Sequence, residues 1–594
     1  MKYGTEEQRQ HYLPRLACGD EIPCFALTGP EAGSDAGAMT DTGIVCMGEY
    51  QGRQCVGLSL TWNKRYITLA PVATVLGLAF KMQDPEHLLS DVVDRGITVA
   101  LIPTTHPGVE IGHRHFPMGM TFMNGPTRGE NVFIPLEWII GGVERAGQGW
   151  RMLVECLSEG RAISLPALAT ATGKLCYRMS GAYARIRTQF NLAIGNFEGV
   201  EEALARIAGH TYQLEAARII TAGAVDAHIK PAVVSAIAKY HMTEKSRSVI
   251  EDAMDVHAGR GLILGPSNYL AHAYMSMPIG ITVEGANILT RNLMIFGQGA
   301  VRCHPFIARE MLAAKDLDET AGLREFDSLI FRHIGYGISN FVRTLTLGLS
   351  AGRIAASPTQ DASKGFYQQL TRMSSALALV SDISMLMFGG ELKRKERLSA
   401  RLGDVLSQLY LASAVLRYYE GNGRAAADLP YVRWNVELAL HECQRAFNDF
   451  FDNLPNRAAA ILLKRVVFPW GDAYRQPADR LDHEIVQTMW ADTELRDRLT
   501  RYAYIGNSNA DAAYIIENAF NRIVATKAVR DSIRAAIKQG QLAGDMPLEA
   551  LAAEAVNRGV CSAADADAYV EAERARNLAI QVDEHESLTF HANK

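Results

Sequence analysis

The feature that most limits what this chain can fold into is a change of texture at Gly147-Gln148-Gly149. From Ile22 to about Gly142, short apolar runs such as G-I-T-V-A-L-I-P and G-E-N-V-F-I-P-L are separated by turn formers such as N-G-P-T-R-G. Runs of that length bounded by Gly, Pro and Asn read as strands. Beyond Gly149, stretches such as Val200 to Val225 carry apolar residues at helical spacing. The expected fold is therefore α+β and mostly α. A β domain with a short leading helix occupies 1–145, a helical bundle follows at 146–315, and a further helical domain runs from 316 to 594. Within the last, Leu398, Leu402, Val405, Leu409, Ala412 and Leu416 alternate at spacings of four and three, then G-N-G ends the helix. That stripe is expected to be a core seam.

Composition narrows the function. The chain has 594 residues, 48% of them hydrophobic and 21% charged, which fits about three globular domains. A formal net charge of −5 gives no footprint for nucleic acid. Nine scattered cysteines with no C-x-x-C pair argue for reduced thiols and against a zinc site. No unbroken apolar run reaches the roughly 18 residues of a membrane span, and the polar start K-Y-G-T-E-E-Q is unlike a signal peptide. The expected location is cytoplasmic. The basic segment E-L-K-R-K-E-R-L-S-A-R is a candidate for peripheral contact with the inner face of a bacterial plasma membrane. A solvated helix face reads the same way.

One acidic residue stands out. Glu284 sits in I-T-V-E-G-A-N-I-L-T-R beside a glycine and among Ile281, Val283, Ile288 and Leu289. Desolvation there would disfavour its charge and suit it to act as a general base. A helix-start glutamate facing the macrodipole would carry the same local sequence.

Five motifs, in order over about 290 residues, resemble the acyl-CoA dehydrogenases. F-A-L-T-G-P-E-A-G-S-D is similar to the family's flavin-binding signature and implies FAD contacts from Phe25, Leu27, Thr28, Gly33 and Ser34. Thr28, Gly33 and Ser34 supply the hydroxyls and close backbone that a flavin's polar edge needs. N-K-R-Y-I-T looks like the strand whose Tyr66 and Thr68 pack on the isoalloxazine. The segment R-T-Q-F through Phe197-Glu198 resembles one that reaches a neighbouring subunit's FAD. It implies cofactor contacts from Arg187, Gln189, Phe190, Phe197 and Glu198, and a homo-oligomer. D-V-H-A-G-R-G looks like a glycine-rich turn at the cofactor, with Asp255, Gly259 and Gly261. V-E-G-A-N matches the segment holding the catalytic base, Glu284, with Ala286 at a cofactor position. Glu198, Asp255 and Ala286 depart from the family's usual residues, which puts individual contacts to FAD in doubt.

The resemblance implies α,β-dehydrogenation of a fatty acyl-CoA: Glu284 takes the α-proton, a β-hydride passes to flavin N5, and trans-2-enoyl-CoA remains. Ser34, Arg161 and Gly285 are the implied substrate-binding residues, and no metal is implied. Some members carry the base on another helix beside an arginine. Here Gly160 precedes Arg161, and Glu159 is one residue off, about 100° round a helix. The whole chain resembles the long bacterial members of fatty-acid β-oxidation, which implies medium- or long-chain substrates. It also implies an electron-transfer flavoprotein or a membrane quinone route as acceptor. An acyl-CoA oxidase would share base and flavin, and a non-catalytic assembly protein would keep only the fold. The family's N-terminal helical domain would lie ahead of K-Y-G-T-E-E-Q, so the 594-residue chain alone is expected to bind FAD poorly and turn over slowly.

Overall fold

The computed structural model describes residues 2–586 apart from 230–231, 300–302 and 492, and leaves the side chains of 158, 159 and 232 undescribed. The chain divides into two compact units. Residues up to Gly160, with Val283–Ala286, form one; Arg161–Thr282 and the described residues 287–586 form the other.

The first unit is the β domain that the texture predicts. It opens with helix α1 (Glu6–Cys18), started by a capping box between Thr5 and Gln8 and stopped at Gly19, whose φ is +81°. A seven-stranded sheet follows, with β1 (Pro23–Ala26), β2 (Thr42–Tyr50), β3 (Arg53–Thr68), β4 (Val75–Gln83), β5 (Asp94–Pro103), β6 (Glu110–Ile111) and β7 (Asn124–Pro135). Its order is β1-β4-β2-β3-β7-β6, with β5 also pairing with β4. Strand β4 is the hub, parallel to β1 and β2 and antiparallel to β5. Covered on both faces, it reads as the near-continuous apolar run V-L-G-L-A-F.

Strand β3 alternates instead. Leu58, Leu60, Trp62 and Lys64 all point inward, so a lysine occupies a core position. A one-residue bulge between Lys64 and Ile67 then shifts the phase. Ile67 is buried as a result, and Tyr66, at φ +60°, is turned out to solvent.

The second unit is helical. Its main helices include α2 (Gly149–Ile186), which begins in the first unit, then α3 (Glu198–Asp226), α4 (Ala232–His257) and the helix Glu396–Gly421. One hydrophobic core runs from Cys176 to Ala579 and contains all of Leu398, Leu402, Val405, Leu409, Ala412 and Leu416. Helices before and after residue 316 thus share an interior. A buried charge network adds to it: Arg496 and Arg178 both donate to Glu517, at 2.9 Å and 2.6 Å. Burial works to raise the Glu517 pKa, but the two guanidiniums outweigh it and hold it low.

The helix Lys364–Phe388 shows why an unbroken-run criterion misses some segments. Continued to Lys393, it is long and apolar enough by composition to cross a membrane. Its Leu370, Met373, Leu377 and Val380 lie in the core.

Candidate active site

In the β unit the loop after β1 carries T-G-P-E-A-G-S-D. Phe25 and Leu27 are half-buried and pack on Ala32, Met39, Ala79, Val99 and Leu153, which fixes the loop's root. Thr28 is half-buried, while Gly33 and Ser34 face solvent. The loop is pinned by a residue the motif reading passed over. Lys64, wholly buried, donates to the Leu27 carbonyl at 2.9 Å and to the Asp41 carboxylate. Asp41 in turn accepts from the Asn63 N–H at 2.9 Å, and the Arg65 N–H donates to the Thr28 carbonyl at 3.0 Å. Loop and strand β3 are therefore one rigid piece, with Tyr66 and Thr68 exposed beside it. The Arg65 guanidinium lies 5.2 Å from the Tyr66 ring.

In the helical unit three residues that the resemblance singled out meet in one pocket of about 450 Å³. Arg187, Gln189 and Gly259 line it with Tyr183, His257, Ala258 and Arg260. The His257 ring stacks on Tyr183 at 4.4 Å, gives its Nδ1–H to the Ala253 carbonyl at 2.7 Å and accepts at Nε2 from the Tyr269 hydroxyl. Burial lowers its pKa to about 3, so the ring is neutral and acts as a strut. Asn268 fixes the turn beyond Gly261, donating to the Gly261 and Ile263 carbonyls and accepting from the Leu270 and Ala271 N–H groups. Ala258 takes φ +49°, a left-handed angle that costs a non-glycine residue about 1–3 kcal/mol.

The remaining predicted residues of this segment lie near the chain turns. Phe190 and Asn191 form the tip of a short hairpin, both with positive φ, and Phe190 is 88% exposed. Its ring meets Phe197 edge-on at 6.1 Å. Glu198 is exposed at the first position of α3, where an acid suits the helix dipole. Asp255 is also exposed, and Gly261 is buried. Arg161 is half-buried on α2; the side chain of Glu159, its rival neighbour, lies outside the described residues.

Glu284 stands in a break between helices, Ala271–Thr282 on one side and Asn287–Leu289 on the other. It is half-buried and has φ +57°, and Gly285 follows at φ +92°. It is not in a first helical turn, so the helix-start reading fails. The ends of the break are tied by α4. Buried Lys239 donates to the Ile281 carbonyl at 3.0 Å and to Asn287 Oδ1 at 2.7 Å. The Asn287 amide donates to Thr243 Oγ1 at 3.0 Å and Glu244 Oε1 at 2.7 Å. Ala286 and Gly285 are half-buried within the break. From Thr290 to Gln298 the next helix is widened to a π-helix, and Arg291 on it donates to Asp404 at 3.0 Å.

Residues 24–132 match "Acyl-CoA dehydrogenase, middle domain", 147–296 match "Acyl-CoA dehydrogenase, C-terminal domain", and 301–585 match "Acyl-CoA dehydrogenase, C-terminal, bacterial type". The chain belongs to the acyl-CoA dehydrogenase family. Protein HemX of Proteus mirabilis is 62% identical over 104 residues, 18% of this chain and 61% of that protein. Probable acyl-CoA dehydrogenase FadE10 of Mycobacterium tuberculosis is 26% identical over 456 residues, 75% of this chain and 66% of that protein. The chain thus spans less than two thirds of the length of either relative. A crystal structure of an acyl-CoA dehydrogenase complexed with FAD from Bacillus anthracis matches with TM-score 0.65 and 18% identity, covering 84% of this chain and 79% of that one. That likeness is one of fold.

Within this acyl-CoA dehydrogenase chain, the lining of the Arg187 pocket suits an anionic group such as a cofactor phosphate. Among the described residues, two guanidiniums and no carboxylate line it, and buried Arg260 Nε meets no hydrogen-bond acceptor. The two acidic departures, Glu198 and Asp255, stay out of its wall. Several supporting residues had a signal that went unused. Lys64 continues the inward alternation of β3, and Asn287 lies in the quoted V-E-G-A-N. Lys239 and Asn268 had none, because their roles depend on partners brought together by folding.

Proposed function

We propose that this chain carries FAD-dependent α,β-dehydrogenation of medium- or long-chain fatty acyl-CoA to trans-2-enoyl-CoA, with Glu284 as the α-proton base. The supporting observation is the left-handed Glu284–Gly285 pair, held in a break whose ends Lys239 and Asn287 tie down. A glutamate kept at positive φ costs about 1–3 kcal/mol, and such strain persists where surrounding structure fixes it, commonly at active sites.

FAD, when bound, supplies the hydride acceptor. The chain's own residues do the rest. Glu284 takes the α-proton, and the backbone N–H at the base meets the negative charge that develops on the thioester oxygen. The pinned T-G-P-E-A-G-S-D loop and Tyr66 hold the flavin end; Arg187, Gln189 and Gly259 hold the dinucleotide end. Ser34, Gly285 and Arg161 are assigned to the substrate. Electrons leave to an electron-transfer flavoprotein or a quinone route. Phe190, so exposed at a hairpin tip, favours a homo-oligomer in which that hairpin meets a second copy.

Glu284→Gln should keep its FAD absorbance and lose turnover by at least about a hundredfold; near-normal turnover in the folded variant would remove Glu284 from the role. Peroxide formation without an added acceptor would favour the oxidase reading. A purified chain that binds FAD but does not bleach with palmitoyl-CoA would favour the non-catalytic one.

Peripheral contact with the inner face of a plasma membrane is a second proposal, favoured by a separate observation. The helix Glu319–Leu349 presents Phe331, Ile334, Ile338, Val342 and Leu349 to solvent on one face. No acid occurs between Asp327 and Asp361, while Arg332, Arg343 and Arg353 do. That combination suits an anionic lipid surface. Flotation with phosphatidylglycerol vesicles, lost on changing Phe331 and Ile338 to serine, is the expected result.

A further inference from the structure

We propose that the C-terminal segment Ile580–Glu586 is a strap that walls the Arg187 pocket, and that its docking sets how tightly the dinucleotide end of FAD is held. The proposal rests on that pocket being the cofactor's, as argued above. Ile580 and Val582 line the pocket together with Arg187 and Gly259. Residues 581–586 have no regular secondary structure, so side-chain and loop contacts keep them in place.

Those contacts are specific. The Asp583 carboxylate accepts from the Ser267 N–H at 2.8 Å. It packs against the bare backbone of Gly265, φ +153°, where an added Cβ would lie 2.5 Å from the Asp583 side chain. His585 Nε2 lies 2.8 Å from the Leu264 carbonyl and donates to it. The receiving loop, Leu264–Ser267, follows the Gly259–Leu262 turn after one residue, and Asn268 bonds both, its side-chain amide to the Gly261 carbonyl and its backbone N–H to the Gly265 carbonyl at 3.1 Å. Strap, loop and pocket wall therefore move as one piece or not at all. Asp583 spends its charge on the loop backbone and is absent from the pocket lining, so an anionic ligand meets only the apolar Ile580 and Val582 from this side.

The mechanism predicted is mutual. A docked strap narrows the exit from the pocket, and an occupied pocket holds the strap. FAD affinity of the full chain should fall about tenfold when the chain ends at Ala579, and several-fold in Gly265→Ala, which crowds Asp583 out, or Asp583→Asn. Flavin fluorescence titration reads the affinity, and circular dichroism with apo melting temperature checks the fold. In the unmodified chain, added FAD should slow cleavage by Glu-C protease after Glu584, followed by mass spectrometry. Arg187→Ala serves as the control on the underlying reading. If it binds FAD like the unmodified chain, the pocket is not the cofactor's and both ideas fall. If it loses FAD while Gly265→Ala and the shortened chain bind normally, the strap alone is overturned, as it also is if FAD leaves the cleavage rate unchanged.

Discussion

Each unit contains a wholly buried lysine that orders nearby backbone, and the two have different partners. In the β unit Lys64 meets the Asp41 carboxylate and the Leu27 carbonyl, so a full ion pair sits beneath the T-G-P-E-A-G-S-D loop. Burial lowers the Lys64 pKa while Asp41 works to restore it. In the helical unit Lys239 meets the Ile281 carbonyl and the Asn287 amide at the ends of the Glu284 break. An ion pair in low dielectric is costly to break from one side, because the remaining charge has no water to fall back on. Lys239 gathers a carbonyl and an amide oxygen and so orders the two chain ends on either side of Glu284. The β unit should therefore answer to mutation in stability, and the Glu284 break in turnover.

The largest effect expected from this contrast is in Lys64→Met, which strands Asp41 and should cost about 3–5 kcal/mol in urea unfolding of the chain. Adding Asp41→Leu should recover most of that loss; a double variant no better than the single one would break the ion-pair account. Next comes Lys239→Met, at about 1–3 kcal/mol. Its turnover per bound FAD should drop while FAD content stays near normal. Equal losses in both would erase the distinction drawn between the two lysines.

Smaller effects probe the pocket. His257 has its folded pKa depressed to about 3 from an ordinary 6.5. The unfolded chain therefore takes up the proton first. The stability that neutral His257 contributes is complete above pH 6.5 and is lost as pH falls from 6.5 toward 3, at up to about 1.4 kcal/mol per pH unit. Half-buried His210 and buried His241 are shifted the same way, so the informative quantity is the difference between the unmodified chain and His257→Asn. That difference should shrink steadily between pH 6.5 and 4.5; a constant offset would mean the ring is not a buried neutral strut. The smallest change expected is a gain. Ala258→Gly relieves the positive φ and should raise stability by about 1 kcal/mol, read as a higher melting temperature.

Local periodicity made much of the architecture legible. The runs G-I-T-V-A-L-I-P and G-E-N-V-F-I-P lie on β5 and β7, and the stripe from Leu398 to Leu416 became a buried seam, because strand and helix periods are written within a few residues of each other. N-G-P-T-R-G, expected as a turn, is instead the first half of β7, where pairing with β3 and β6 overrides its turn-forming residues. The family resemblance singled out Arg187, Gln189 and Gly259, which one pocket brings together. The exposed Tyr66 was named from its motif, but the bulge that turns it outward was not visible, since a one-residue register shift depends on strand β7 across the sheet. Glu284 shows the same limit. Its neighbours suggested a helix-start carboxylate as readily as a base, and the helix-start reading fell only on the positive φ and on a helix break tied by Lys239, 42 and 48 residues away.

By itself the sequence determined the order of β and helical segments, the inward stripe of each and the family these motifs resemble, all of which rest on short-range pattern. Only the tertiary structure decided that Lys64 is buried on Asp41, that Arg178 and Arg496 share Glu517, and that Asp583 returns to Ser267 across 316 residues. The physical reason is that the stability of a buried charge or a docked strap depends on the partner folding delivers, and no residue's own neighbourhood specifies that partner.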